Sequence, residues 1–239
     1  MPRHCLVTGA NRGIGLAFVR QLLARGDHVI ATCRKPGAAT ALNALAGEHP
    51  GRLHVLPLDV ANPKSRASLL HELPLVLGDG RIDLLVNNAG VLHSGERFGH
   101  VDAAVLEDSL HTNAIGPFLL AQALVPWLRE GIDQASGAVI ANLTSVMGSI
   151  ASRSEFRSPS YCVSKAAQNM LTVQLAHALA PRGINVLALH PGWVQTDMGG
   201  GSANVVTDDS VRGLLQRIDA ASLAQSGTFL DWRGDALPW

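Results

Sequence analysis

The chain is poor in the residues that mark several classes of protein. Its 239 residues include three cysteines, Cys5, Cys33 and Cys162, with neither a CxxC pair nor a Cys–His metal spacing. This usage argues against a disulfide scaffold and a zinc site, and it suits the reducing cytoplasm. No segment approaches the ~20 apolar residues of a membrane span. The N-terminus has no charged region followed by a long apolar stretch, so we expect no signal peptide.

Charge is scarce as well. Lys plus Arg and Asp plus Glu number 19 each, and the ten histidines include no HExxH spacing. Without a basic excess we expect no nucleic-acid partner, and without that spacing we expect no catalytic metal. Aromatic residues make up 4% of the chain against 47% hydrophobic residues, so the core must be built from Leu, Val, Ile and Ala.

Short apolar runs alternate with longer helical segments along the whole sequence. The runs predict strands at residues 3–8, 28–33, 53–58, 82–87, 138–143, 185–190 and 228–230. The segments between them predict helices at residues 14–25, 38–46, 64–76, 102–129, 161–180 and 208–224. Such alternation predicts a doubly wound, Rossmann-like α/β fold, in which a mostly parallel seven-stranded sheet carries helices on both faces. No repeat or linker interrupts the pattern, so we expect a single domain over residues 1–239.

A glycine-rich loop follows the first predicted strand, with the sequence Thr-Gly-Ala-Asn-Arg-Gly-Ile-Gly over residues 8–15. Glycine lets the backbone turn tightly and approach a pyrophosphate, whose charge is favourable at a helix N-terminus. The spacing differs from the general G-x-G-x-x-G pattern, and an ordinary strand-to-helix turn is the alternative. Its position after the first strand favours nucleotide binding, with contacts from Gly9, Asn11, Arg12, Gly13, Ile14 and Gly15.

The chain's single tyrosine, Tyr161, lies four residues before Lys165 on a predicted helix. Both side chains therefore project from one face. A free phenol, with a pKa of ~10, is a poor acid or base partner at neutral pH. A nearby ammonium favours the phenolate, so we expect Lys165 to lower the pKa of Tyr161.

In this order the motifs resemble those of the short-chain dehydrogenase/reductase family. Besides the glycine loop they are Asp59-Val60, Asn87-Asn88-Ala89-Gly90, Asn113, Ser145, Tyr161-x3-Lys165 and Pro191-Gly192. The resemblance implies an active site of Asn113, Ser145, Tyr161 and Lys165. It also implies cofactor contacts from Asp59, Val60, Asn88, Ala89, Gly90, Tyr161, Lys165, Pro191, Gly192, Val194 and Thr196.

The resemblance assigns a role to each active-site residue. Ser145 would donate a hydrogen bond to a substrate carbonyl, Lys165 would also hold the nicotinamide ribose, and Asn113 would hold a water that links Lys165 to solvent. Ser145 is preferred over Thr144 and Ser149 because it lies just past the fifth strand. The interval from Ser145 to Tyr161 is a few residues longer than is usual in the family, which predicts an outward loop around residues 152–158.

The end of the second strand predicts the cofactor. An NAD enzyme usually places an acid there, about 20 residues beyond the phosphate loop, to accept from the ribose 2′-hydroxyl. Here no acid occurs from residue 28 through residue 47, and Arg34 stands at the strand end. Its planar guanidinium suits a 2′-phosphate, which Arg12 can reach from the other side. We therefore expect NADP(H) as the cofactor.

Longer pieces resemble the C-factor-like and sniffer-type carbonyl reductase branch; they lie at residues 10–13, 31–34, 190–198, 227–232 and 237–239. This implies reduction of an aldehyde, ketone or quinone, or oxidation of the matching alcohol, with Tyr161 as the acid or base. The alternative is a dinucleotide-binding regulatory or signalling protein with little turnover. We expect substrate loops at residues 91–100, 146–159 and 193–206, with a mobile lid at 193–203.

Two predicted helices, 102–129 and 161–180, are apolar on more than one face. In the first, the apolar positions include Val105, Leu106, Leu110, Ile115, Phe118, Leu119 and Leu124. A helix that is apolar all round is either fully buried or shared with a partner. We expect a homodimer or a homotetramer, in which these helices form the contact as is common in the family. Burial under the chain's own tail is the alternative.

Overall fold

A computed structural model describes residues 2–131 and 137–239 of the chain. The strands are β1 (His4–Thr8), β2 (His28–Cys33), β3 (Leu53–Pro57), β4 (Leu84–Asn87), β5 (Val139–Leu143), β6 (Asn185–His190) and β7 (Phe229–Asp231). The α-helices are α1 (Gly13–Ala24), α2 (Thr40–Glu48), α3 (Pro63–Leu77), α4 (Ala103–Leu110), α5 (Gly116–Leu124), α6 (Pro159–Leu179) and α7 (Thr207–Asp219).

The strands form one seven-stranded sheet in the order β3-β2-β1-β4-β5-β6-β7, and each neighbouring pair is parallel. The predicted Rossmann-like α/β fold is confirmed. From β1 the chain moves outward to β3 and then places β4 on the opposite side of β1. In an open parallel sheet, the crevice at such a reversal, outside the carboxyl ends of the strands, is where ligands bind.

Side chains alternate between the two faces of each strand, and the core follows that alternation. Cys5 and Val7 of β1 belong to the cluster that includes buried residues of α1 and α7. Leu6 belongs to the cluster on the other face, with buried residues of α3, α5 and α6. Because the sheet is covered on both faces, its strands are nearly continuous apolar runs. Within the described ranges, no helix is long and apolar enough to cross a membrane.

The prediction of one continuous helix over residues 102–129 is wrong. α4 ends at Leu110, a π-helical turn spans His111–Ile115, α5 follows, and a short 3-10 helical turn comes after it at Val125–Trp127. Pro117 has no amide hydrogen to donate to the Asn113 carbonyl, four residues earlier. A Cβ on Gly116 would lie 2.5 Å from the Val60 carbonyl oxygen, so the start of α5 packs closely against the loop after β3. The missing donor at Pro117 and the close packing at Gly116 both favour the π-helical turn, which is wider than an α-helical one.

Smaller differences occur at the ends of elements. β4 begins at Leu84, and Ile82, predicted as part of that strand, makes a separate bridge with Leu128. α7 ends at Asp219, short of the predicted residue 224, and a separate 3-10 helical turn follows at Leu223–Gln225. The central positions of these elements are unchanged.

Candidate active site

Helix α6 turns a polar face toward the protein interior. Tyr161 is half-buried at its start, and the face continues through the buried residues Ser164, Lys165, Gln168, Asn169 and Thr172. These positions recur every three or four residues, which places them on one side of the helix. Buried polar groups are costly unless they have hydrogen-bond partners. Here the partners come from the end of β5, the turn that follows it and the π-helical turn.

Lys165 lies in the middle of this polar face and is 4% exposed. Its ammonium donates to the Leu143 carbonyl at the end of β5 (2.7 Å) and to Gln168 Oε1 (2.9 Å). Its Nζ lies 5.7 Å from the centre of the Tyr161 ring. Gly148 permits the close packing, because a Cβ there would lie 2.8 Å from the Lys165 Cβ. Burial lowers the pKa of Lys165 to about 7.

Ser145, directly after β5, meets the side chain of Tyr161. Its hydroxyl lies close enough to the phenol to lower the pKa of Tyr161, and Ser145 Oγ accepts from the Met147 amide at 3.1 Å. Burial raises the pKa of Tyr161 to about 12, and the neighbouring Ser145 hydroxyl offsets only part of that rise. The prediction that Lys165 lowers the pKa of Tyr161 is therefore wrong. The pKa of the phenol rises, because its removal from water outweighs the effect of its neighbours.

The two alternatives to Ser145 have other partners. Thr144 Oγ1 donates to Asn169 Oδ1 at 2.6 Å. Ser149 Oγ donates to Ser152 Oγ at 2.8 Å. Both hydroxyls are thus engaged away from Tyr161. The long interval before Tyr161 is taken up by residues 152–158, of which 154–157 are exposed.

Asn113 lies buried in the π-helical turn. Its Nδ2 donates to the Val91 carbonyl and to Ser164 Oγ, each at 2.9 Å. Its Oδ1 accepts from the Val91 amide at 2.8 Å. Both polar atoms of the side chain therefore bond to the loop after β4, and Nδ2 also joins that loop to helix α6.

The glycine loop is bound tightly to the end of β4. Thr8 Oγ1 accepts from the backbone amides of Asn88 and Ala89 at 3.0 Å each. Asn88 Nδ2 donates to the carbonyls of Thr8 (2.8 Å) and Gly9 (3.1 Å). Gly9 has a φ of +62°, and a Cβ on Gly15 would lie 2.6 Å from Asn88 Nδ2. These positions therefore require glycine, and the loop backbone lies directly against β4.

The start of α1 has the features of an anion site. The first amide groups of a helix have no intrahelical acceptors. The N-cap residue here, Arg12, makes no side-chain cap hydrogen bond to them either. Such amides suit a pyrophosphate. Arg34, just past β2, is exposed. Arg12 is also exposed, but it pairs with Asp197 at 2.7 Å, a partner that sequence reasoning missed.

The other predicted cofactor residues lie just past the carboxyl ends of β3, β4 and β6. In chain order they are Asp59, Val60, Asn88, Ala89, Gly90, Pro191, Gly192, Val194 and Thr196. The loop after β6 reaches the glycine loop, since a Cβ on Gly13 would lie 3.2 Å from Thr196 Cγ2. The described part of the chain has no group of three His, Cys, Asp or Glu residues that could hold a metal ion.

Sequence reasoning missed several residues that position the site. Ser164, Gln168 and Asn169 share the helical spacing of Tyr161 and Lys165, a signal that was present in the sequence. Glu96 gave no such signal. It belongs to the loop after β4, and its carboxylate accepts from the Ser160 hydroxyl at 2.8 Å and the Ser160 amide at 3.4 Å. It therefore takes the place of a side-chain cap for α6.

Comparisons with known proteins identify the family to which the chain belongs. A family model described as short chain dehydrogenase matches residues 3–205. The C-signal protein of Myxococcus xanthus is 41% identical over 160 residues, which make up 67% of this chain and 94% of that protein. An NADPH-bound carbonyl reductase from chicken fatty liver has a TM-score of 0.92 and 38% identity, over 100% of this chain and 99% of that one. Carbonyl reductase Sniffer of D. melanogaster has a TM-score of 0.93 and 33% identity, over 100% of both chains.

Proposed function

The chain belongs to the short-chain dehydrogenase/reductase family, in its C-factor-like and sniffer-type branch, and on that premise we propose that this oxidoreductase uses NADP(H). Its proposed substrate is an aldehyde, ketone or quinone, or the matching alcohol in the reverse direction. The observation that carries the proposal is the position of Ser145 beside Tyr161, whose ring centre lies 5.7 Å from the Nζ of the buried Lys165.

Tyr161 is the proposed acid and base. Burial raises its pKa to about 12, so the phenol carries at neutral pH the proton that the carbonyl oxygen must receive. The transfer itself depends on the Lys165 ammonium, which favours the phenolate. Ser145 donates a hydrogen bond to the same oxygen as negative charge develops there. When bound, NADPH supplies the hydride for the carbonyl carbon. The Lys165 ammonium then stabilises the phenolate left on Tyr161 until it is reprotonated.

Asn113 has a proposed role in that reprotonation through its backbone. Its side chain is already bonded to Val91 and Ser164. In an α-helix the Asn113 carbonyl would accept from the amide four residues later, but that residue is Pro117, which has no amide hydrogen. We therefore assign the predicted water contact toward Lys165 to the Asn113 carbonyl rather than to its amide group.

The residues around the glycine loop fit an NADP(H) molecule. The uncapped start of α1 would hold the pyrophosphate, and Arg34 would meet the 2′-phosphate. Arg12 would join Arg34 after leaving Asp197, since an exposed ion pair contributes little. The NADPH in the chicken carbonyl reductase structure supports this choice. The proposed substrate loops are 91–100, 146–159 and 193–206, within one domain over residues 1–239.

The test is turnover, read as the loss of NADPH absorbance with a panel of aldehydes, ketones and quinones. Tyr161→Phe should lose about 100-fold or more of kcat, the scale of general acid–base catalysis. Ser145→Ala should lose about 100-fold, as expected for a lost oxyanion donor. Ser149→Ala is the matched control, and its kcat should stay near that of the wild type. Normal turnover by well-folded Tyr161→Phe would contradict the mechanism.

A second candidate function rests on the similarity to the protein named C-signal. In that case the chain would bind a dinucleotide as a regulatory or signalling protein with little turnover. The combination of Asn113, Ser145, Tyr161 and Lys165 favours the enzyme, because a protein that only binds has no need of it. Tight NADPH binding without turnover on the whole panel would favour the regulator.

We also propose a homodimer or a homotetramer in the cytoplasm, with no nucleic-acid or membrane partner. Ile115, Val163 and Met170, on the faces of the π-helical turn and α6, are 37%, 47% and 60% exposed. Large exposed apolar side chains on neighbouring helices are typical of a contact surface. The three cysteines are free thiols, which fits a reducing compartment. A monomer by light scattering at micromolar concentration would contradict the assembly.

A further inference from the structure

Gln168 has no part in the proposed reaction, although it lies one turn beyond Lys165 on the polar face of α6. It is 2% exposed. Its Oε1 accepts from the Lys165 ammonium at 2.9 Å, and its Nε2 has no hydrogen-bond partner among the described residues. An ammonium can only donate, so the amide must turn its oxygen toward Lys165. In this orientation Gln168 accepts a hydrogen bond from the Lys165 ammonium, while the Gln168 Nε2 has no partner among the described residues.

We propose that Gln168 is a positioning residue, which fixes the Lys165 ammonium and favours its charged form. Of the three ammonium hydrogens, one goes to the Leu143 carbonyl and one to Gln168 Oε1. The third has no acceptor among the described residues, and the Tyr161 ring centre lies 5.7 Å from Nζ. A hydrogen bond to a charged form stabilises that form. The proposal builds on the proposed function in one respect, that Lys165 acts as an ammonium during turnover.

Gln168 is one of only two acceptors that bond to the Lys165 ammonium among the described residues, and both acceptors are neutral. β5 and the turn after it present the Leu143 carbonyl and the backbone of Gly148. α4 carries Glu107 and Asp108, both exposed, and β6 ends at the half-buried His190. The titratable residues at the start of α6 are Tyr161 and Cys162, and the Glu96 carboxylate contacts that end of the helix through Ser160. Burial is the cause that lowers the pKa of Lys165, so the charge is held by neutral acceptors against desolvation.

The experiment follows the titration of Lys165 directly. Lys35, Lys64 and Lys165 are the lysines of the chain, so protein labelled with carbon-13 at the lysine ε-carbon gives a simple NMR spectrum. The Lys165 signal is identified by its loss in Lys165→Met. Gln168→Met removes the acceptor at similar volume, and Gln168→Glu keeps an acceptor and adds charge. Thr172→Val is the matched control, since Thr172 is buried one turn further along and bonds to Asn142 and the Gln168 carbonyl, not to Lys165.

In Gln168→Met, Lys165 should titrate about one to two pH units below the wild type, as expected for a lost hydrogen bond to a charged group. In Gln168→Glu it should titrate above the wild type, and in Thr172→Val at the wild-type pH. The kcat of Gln168→Met should fall about tenfold, while KM for the carbonyl substrate stays within about threefold. A wild-type titration or a wild-type kcat in well-folded Gln168→Met would overturn the proposal. Absence of turnover in the wild type would instead refute the proposed function, and the titration would still decide whether Gln168 holds the charge.

Discussion

Replacement of Gly15 by alanine tests how closely the glycine loop packs against β4. In α1 the new Cβ would lie 2.6 Å from Asn88 Nδ2 and 3.0 Å from Ala10 Cα, and closer still to the Gly9 carbonyl oxygen. Asn88 would have to move and would lose its hydrogen bonds to the carbonyls of Thr8 and Gly9. The loop that faces the proposed pyrophosphate would move with it.

The magnitude follows from two opposing effects. Overpacking a close contact costs about 1–3 kcal/mol, whereas alanine is better than glycine in a helix by roughly 0.5–1 kcal/mol. At the middle of both ranges, the free energy of unfolding should therefore fall by about 1–2 kcal/mol. For a chain of this size, that loss lowers Tm by about 2–8 °C. NADPH affinity should fall by about tenfold or more if the altered loop costs at least ~1.4 kcal/mol of binding.

Gly47 offers a matched control for this substitution. It lies in α2, and a Cβ there would meet no atom within 4 Å. Gly47→Ala should therefore gain about 0.5–1 kcal/mol and leave NADPH binding unchanged. The assays are thermal unfolding and calorimetric titration with NADPH. Wild-type stability and affinity in Gly15→Ala, or equal losses in the two variants, would refute the packing argument.

Three further predictions concern the cofactor, the charge of Lys165 and the lid. Arg34→Ala should weaken NADPH binding about 10- to 100-fold and barely change NADH binding; titrations of both cofactors would contradict this if both affinities fell alike. Burial lowers the pKa of Lys165 from 10.5 to about 7, so between those values the folded protein has released a proton that the unfolded chain retains. The stability of the wild type relative to Lys165→Met should therefore rise with pH across that window, and a constant difference in urea unfolding would argue against it. Residues 193–203 should gain amide-exchange protection when NADPH is added, because three successive glycines carry a high entropy cost of ordering; strong protection without cofactor would show a fixed loop.

Much of this protein follows from local sequence patterns. The short apolar runs located all seven strands, because strands buried on both faces must be apolar along their length. The order of the glycine loop, Ser145, Tyr161 and Lys165 indicated the family, because each motif follows a strand end or opens a helix. Tyr161 and Lys165 share a helix face by spacing alone. The same spacing extends to Ser164, Gln168 and Asn169, so that part of the site was readable as well.

Other features depend on contacts between distant residues. Glu96 and Ser160 are 64 positions apart, and no local pattern relates them. The break at His111–Ile115 depends on how closely Gly116 packs against the loop after β3. The pKa of Tyr161 rises rather than falls because its burial depends on the elements packed around it, whereas its spacing from Lys165 is local. The sequence by itself thus determines which groups are available and on which helix face they lie. The tertiary structure decides how far they are removed from water and which partners satisfy them, because desolvation and hydrogen bonding depend on every element that packs nearby.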